Sequence, residues 1–228
     1  MRTSVDSQEP DRTLSQEGAQ GPIRKPIAIT MGDPAGIGPE IILRALARAT
    51  KTGLEGPFVV YGCPWWMKAV ARRLGLNTGL LEVVPCAEVP VDLPVGQVSA
   101  AGGEAAFQAV YRAAQDAMAG KVRAVVTAPL SKAAMNLAGH VYPGHTEILA
   151  EVGGNVPVRM MLANEELRTV LVSIHVPLKV AVNSLSTGGI VETIRLTDAF
   201  LRMTGIQAPR IAVAGINPHA GEDGLLGD

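Results

Sequence analysis

Short apolar runs alternate with stretches of helical periodicity along most of this chain, and turns rich in glycine and proline separate them. Pro26 to Met31 (PIAITM) reads as a strand, and Ile41, Ile42, Ala45, Leu46 and Ala49 then recur at helical spacing. Phe58 to Tyr61 predicts a second strand. Pro64 opens a helix with Met67, Val70, Ala71 and Leu74 on one face, and Gly75 is placed to end it. Leu80 to Val84 predicts a third strand. Phe107, Val110, Tyr111, Ala114 and Met118 mark a helix over 103–120, and Val122 to Val126 predicts the next strand. Further on, Arg159 to Ala163 and Arg168 to Ser173 predict two strands around an Asn164-Glu-Glu turn. Ile190, Ile194, Thr197, Leu201 and Thr204 give an amphipathic helix stopped by Gly205, followed by a strand over Ile211 to Ala214. Strand and helix alternate, so the fold class is α/β, with a mixed or mainly parallel sheet wrapped by helices.

Composition narrows the function. The chain of 228 residues is 47% hydrophobic and 18% charged, which supports a substantial core. A net charge of -1 gives no footprint for nucleic acid or an anionic membrane, and a small molecule is the default partner. No apolar run approaches the ~20 residues needed to cross a bilayer. The N-terminus lacks a secretory signal, and a cytoplasmic protein is expected. Cys63 and Cys86 have no metal-type spacing and read as reduced thiols in or near the core. Residues 1–25 are polar and are expected to form a disordered tail. Trp65 and Trp66 read as packing residues.

The candidate chemistry gathers where strands end. Thr127-Ala-Pro-Leu-Ser-Lys132 follows a predicted strand and runs on to Tyr142-Pro-Gly-His-Thr-Glu147. The carboxyl ends of strands are where open α/β sheets place ligands. Of the four histidines, His145, His175 and His219 lie in Gly/Pro-bounded turns, and the last two follow predicted strands directly. Sheet topology can bring such positions together, so the three imidazoles are expected to converge on one cavity. Two histidines alone make an incomplete metal site, because catalytic zinc typically takes three protein ligands. Ser131 and Lys132 fit a phosphate grip, a proton-transfer pair or the start of a helix over Ala133 to Leu137. Glu147 either orients His145 or, the preferred reading, complements the dipole of a helix over Thr146 to Val152. The turn Gly32-Asp-Pro-Ala-Gly-Ile-Gly-Pro-Glu40 opens a helix, yet its glycines follow neither the dinucleotide nor the P-loop spacing.

Five strings carry a family resemblance: MGDPAGIGPE (Met31 to Glu40), VTAPLSK (Val126 to Lys132), YPGHTE (Tyr142 to Glu147), LVSIHVPL (Leu171 to Leu178) and GINPHAGEDG (Gly215 to Gly224). In the same order, they resemble the 4-hydroxythreonine-4-phosphate dehydrogenase family of pyridoxal phosphate biosynthesis. The resemblance implies an isocitrate/isopropylmalate dehydrogenase-like three-layer α/β/α fold with two subdomains, expected here over 26–125 and 126–228, the second carrying most site residues. It also implies a homodimer with a shared active site, NAD or NADP, and a divalent metal such as zinc, magnesium or cobalt. The implied reaction is oxidation of 4-phosphohydroxy-L-threonine to 2-amino-3-oxo-4-phosphohydroxybutanoate, which decarboxylates to 3-amino-2-oxopropyl phosphate.

Carried onto this sequence, the resemblance makes His145 and Thr146 substrate contacts and His175 and His219 metal ligands. It gives His140 no role and leaves the cofactor-binding residues unassigned. Lys132 is the expected catalytic group near the reacting centre. The family pattern continues past the position of Asp228 with a third metal histidine and further substrate contacts, and that C-terminal part is absent from these residues. Two other readings stay open: a related dehydrogenase of another phosphorylated hydroxy acid or a cis-dihydrodiol, and an inactive ligand-binding module.

Overall fold

Four short strands of β-branched, aromatic and small residues, β1 (Ile27–Thr30), β2 (Phe58–Gly62), β3 (Val83–Pro85) and β4 (Ala124–Thr127), form one parallel sheet in the order β3-β2-β1-β4. The computed structural model describes residues 24–53, 56–77 and 81–227. Most of the expected tail, and Leu80 at the start of the expected third strand, lie outside the described residues.

Parallel neighbours need crossovers, and helices supply them. They are α1 (Gly38–Thr52), α2 (Pro64–Arg73) and α3 (Ala100–Met118). Side-chain alternation along the strands sends residues to opposite faces of the sheet. Val60 packs with Ile42, Leu43, Trp66, Met67 and Val70 of α1 and α2. Val59 and Tyr61 pack with Ala28 and with Ala109 and Ala113 of α3. The result is three layers, α/β/α, as the resemblance implies. Full burial of a side chain such as Val60 or Met67 contributes about 1.5–3 kcal/mol.

Beyond β4 the chain stays on this body. Helices α4 (Lys132–Leu137) and α5 (His145–Val152) pack on α3, where Met135 and Ile148 meet Phe107 and Val110. Gly103 permits the close approach: a Cβ there would lie 2.0 Å from the Ala134 carbonyl oxygen.

The chain divides into two compact units, Met1–Asn155 and Val156–Asp228. β4 is hydrogen-bonded to β1, and α4 and α5 bury their apolar faces on α3, so the stretch carrying Lys132, His145 and Thr146 belongs to the first unit. His175 and His219 belong to the second.

The second unit holds an antiparallel hairpin of β5 (Met161–Ala163) and β6 (Arg168–Val170). Asn164 shapes its turn, its Oδ1 accepting from the N–H groups of Glu166 and Leu167. Two helices follow, α6 (Leu178–Asn183) and α7 (Thr187–Met203), and then a 3-10 turn, Pro218–Gly221. Ser186 caps α7 by accepting from the Gly189 N–H at 3.2 Å. Arg159 ties the start of the hairpin to α7 through Thr193, at 2.7 Å, and Glu192.

The expected strand over Ile211 to Ala214 is not formed. Among the described residues this segment joins no ladder, and a strand exists only by pairing with a neighbour. It lines instead an apolar cavity of about 670 Å³ together with Val170, Ile190, Ile194 and Leu201. Sequence periodicity reports which side chains are apolar but cannot supply the partner strand. Among the described residues no helix is long and apolar enough to cross a membrane.

Candidate active site

β1 and β4 lie side by side with Thr30 opposite Thr127, and both chains turn at the carboxyl edge of the sheet. The two turns interlock. The Asp33 N–H donates to the Pro129 carbonyl at 3.0 Å, and Gly32, at φ 70°, passes so close that a Cβ would lie 2.3 Å from the same oxygen. Asp33 is buried, its Oδ1 accepting from the Ala35 N–H at 2.9 Å, so its carboxylate shapes the turn. Trp66 donates its indole N–H to the Pro34 carbonyl from below. The glycine-rich turn is thus built for close backbone approach between the two strand ends.

After β4, Ser131 is the N-cap of α4, its hydroxyl oxygen accepting from the Ala134 N–H at 3.2 Å. Of the open readings for Ser131, the helix start is the one the structure contains. Lys132 is the first residue of α4 and is exposed. Gly144 leads into α5, whose first residues are His145, Thr146 and Glu147. A Cβ on Gly144 would stand 3.7 Å from Glu147 Oε2 and 3.9 Å from Lys132 Cε, so a carboxylate and the stem of an ammonium-bearing side chain flank the entry to His145.

His145 Nε2 is buried without a partner. Burial pushes the imidazole below the ordinary histidine value, and the Ala128 backbone partly opposes this. A neutral ring carrying its proton on Nδ1 offers Nε2 as an acceptor. A buried polar atom without a protein partner is costly unless something else meets it. Thr30 Oγ1, at the end of β1, is likewise buried and unpartnered. Thr30 was not apparent as a site residue from sequence, because it closes an apolar run; the available signal was a hydroxyl in the last strand position before a glycine turn.

His175 and His219 belong to the second unit. Both are exposed and both have left-handed backbone, at φ 55° and 52°. Ala220, Glu222 and Asp223 share the positive φ, so the loop around His219 is held in a conformation that is uncommon without glycine. Among the described residues, no group of three or more His, Cys, Asp or Glu side chains is arranged to hold a metal ion. The two imidazoles suit a borderline-soft cation but fall short of the three protein ligands of a catalytic site, so the residues present do not complete a metal centre. His140 sits apart from these roles, bonded to Glu104 at 2.6 Å and stacked on Phe107.

These strand ends, the five strings and the histidine-bearing loops all fall inside one family pattern. The model of the pyridoxal phosphate biosynthetic protein PdxA matches residues 27–228. The chain belongs to the PdxA family. Among PdxA relatives, a 4-hydroxythreonine-4-phosphate dehydrogenase of Beijerinckia indica is 45% identical over 218 residues, covering 89% of this chain and 64% of its own length. A D-threonate 4-phosphate dehydrogenase of Salmonella typhimurium is 43% identical over 222 residues, covering 90% and 67%. The crystal structure of a 4-hydroxythreonine-4-phosphate dehydrogenase from Burkholderia phymatum superposes with a TM-score of 0.80 at 38% identity, over 89% of this chain and 66% of that one. A terephthalate 1,2-cis-dihydrodiol dehydrogenase from Burkholderia xenovorans gives 0.64 at 33% identity, over 88% and 64%. The chain spans about two thirds of the length of these PdxA relatives.

Proposed function

We propose that this chain carries part of the active site of an NAD- or NADP-linked dehydrogenase that oxidises the 3-hydroxyl of a 4-phosphorylated four-carbon acid. The leading substrate is 4-phosphohydroxy-L-threonine. The product, 2-amino-3-oxo-4-phosphohydroxybutanoate, is a 3-oxo acid and loses carbon dioxide to give 3-amino-2-oxopropyl phosphate. The observation that carries the reading is the buried, unpartnered Nε2 of His145 at the carboxyl edge of the sheet, inside a string shared with the family.

The nicotinamide, when bound, takes the hydride from C3. The chain's own residues have the remaining work. Neutral His145 accepts a hydrogen bond from a hydroxyl or ammonium of the substrate at its buried Nε2. Thr146, next on α5, adds a second contact. Lys132 is assigned to the reacting centre, where its amine can receive or return the hydroxyl proton; Lys132→Met would then lower turnover more than substrate affinity. His175 and His219 are the proposed donors to a divalent cation, zinc, magnesium or cobalt, whose remaining ligands lie outside this set. The protein is proposed to work in the cytoplasm as a homodimer with a shared active site.

A second reading is favoured by the names of several relatives. D-threonate 4-phosphate differs from the leading substrate in carrying a hydroxyl in place of the C2 ammonium, and either group can donate to His145 Nε2. The test is NAD+ and NADP+ reduction and equilibrium binding with both acids, each in the presence of zinc, magnesium or cobalt. Reduction by one acid alone selects the substrate. Failure of both acids to bind overturns the proposal.

A further inference from the structure

The connection between α4 and α5, which delivers His145, is strapped to α3. His140 lies face to face with Phe107, ring centroids 3.6 Å apart at 12°. Its Nε2 meets Glu104 Oε2 at 2.6 Å, while Glu104 Oε1 accepts from Gln108 Nε2 at 2.8 Å. The His140 N–H donates to the Met135 carbonyl at 2.9 Å, closing the end of α4. Tyr142 stacks on the same Phe107 at 5.8 Å and 21°, and its hydroxyl donates to Glu151 of α5 at 2.8 Å. One phenyl ring on α3 is therefore the seat for two residues of a connection that ends at Gly144.

We propose that His140 is a positioning residue: seated on Phe107 and bonded to Glu104, it fixes the connection that delivers His145 to the first position of α5 with its Nε2 buried and free. Gly144 has extended backbone at φ 174° and no side chain, so it cannot orient His145 by itself. The nearest side-chain restraint on the entering chain is the Tyr142 and His140 pair. The Glu104 carboxylate is held below its usual range by the Gln108 bond and by His140, against the cost of burial, so it is an ionised acceptor for the His140 ring. The inference rests on the proposed function only for the meaning of His145 as a substrate contact.

The test reads His145 directly. In the full chain, ring N–H exchange and the titration of His145 are followed by NMR in wild type, His140→Phe and Glu104→Gln. His140→Phe keeps an aromatic ring on Phe107 but loses the bond, and Glu104→Gln keeps the shape of α3 if the first variant does not fold. Both are expected to accelerate His145 ring N–H exchange about tenfold, as loss of restraint worth one ordinary hydrogen bond would, and to move its titration up towards that of an exposed histidine. The denaturation midpoint of each variant, read alongside, separates positioning from general destabilisation. Unchanged His145 exchange in both variants overturns the proposal. Adding 4-phosphohydroxy-L-threonine or D-threonate 4-phosphate to wild type separates the two claims: an unmoved His145 signal contradicts the substrate role while leaving the coupling to His140 intact.

Discussion

His140 lies face to face with Phe107 of α3, ring centroids 3.6 Å apart, on the connection that leads to His145 at the first position of α5. The His145 Nε2 is buried and unmet. Because burial depresses the His145 pKa, protonation favours the unfolded chain. His145 therefore contributes stability above the ordinary histidine value of 6.5 that is lost as pH falls through the lower folded value. Denaturant unfolding across that range should show wild type losing more stability on acidification than His145→Gln. Equal losses would mean the ring is not held neutral.

Tyr61 of β2 donates its hydroxyl to Asp116 Oδ2 of α3 at 3.0 Å, and Lys121 reaches Oδ1 at 2.9 Å with Arg112 at 3.3 Å from Oδ2. Burial works against the Asp116 charge, but the bonds from Lys121, Tyr61 and Arg112 outweigh it and hold the carboxyl below its usual range. Asp116→Ala strands the Tyr61 hydroxyl in the core and should cost about 2 kcal/mol, read as a lower denaturation midpoint with an unchanged slope. The Asp116 contribution is present above the ordinary carboxylate range and is lost as pH falls through its folded value.

Cys86 is half-buried near the same network, and burial pushes its thiol up to about 12. The thiolate is the nucleophile. Alkylation of Cys86 under mildly alkaline conditions should therefore be far slower than that of a free thiol in an unfolded control, with denaturant restoring the normal rate.

Gly32 joins positive φ to a 2.3 Å approach between its would-be Cβ and Pro129. Gly32→Ala should cost at least about 2 kcal/mol through the left-handed backbone and the clash. It should also disturb the loop that carries Ala128, so the His145 ring signal should move. A variant with wild-type stability and an unmoved His145 would contradict the interlocked turns.

Much of this was legible in the chain because periodicity and turn chemistry are local. Pro26 to Met31, Pro64 and the glycine turn before α1 specify β1, the start of α2 and the first crossover directly. Short elements slipped: the expected strand over Val122 to Val126 is formed over Ala124–Thr127, and α6 was not apparent because six residues carry too little period. Ile211 to Ala214 has the composition of a strand, but pairing is a tertiary fact. The histidines of the turns could be singled out, whereas the orphaned His145 Nε2, the orphaned Thr30 hydroxyl and the Phe107 seat of His140 depend on contacts between distant residues. No sequence spacing reports these.

His175 and His219, two exposed imidazoles in left-handed backbone, should bind zinc or cobalt weakly in this chain, since a two-histidine set leaves most positions to water. Metal titration should show either His175→Ala or His219→Ala abolishing what binding there is, with chelator removing it readily from wild type.

The most direct measurement is the nitrogen NMR spectrum of the His145 ring at neutral pH, before and after addition of 4-phosphohydroxy-L-threonine or D-threonate 4-phosphate. The account predicts a single neutral tautomer protonated at Nδ1, with an Nε2 resonance that shifts saturably on addition of one of the two acids. A ring protonated at Nε2, or an Nε2 resonance that neither acid moves, would contradict it.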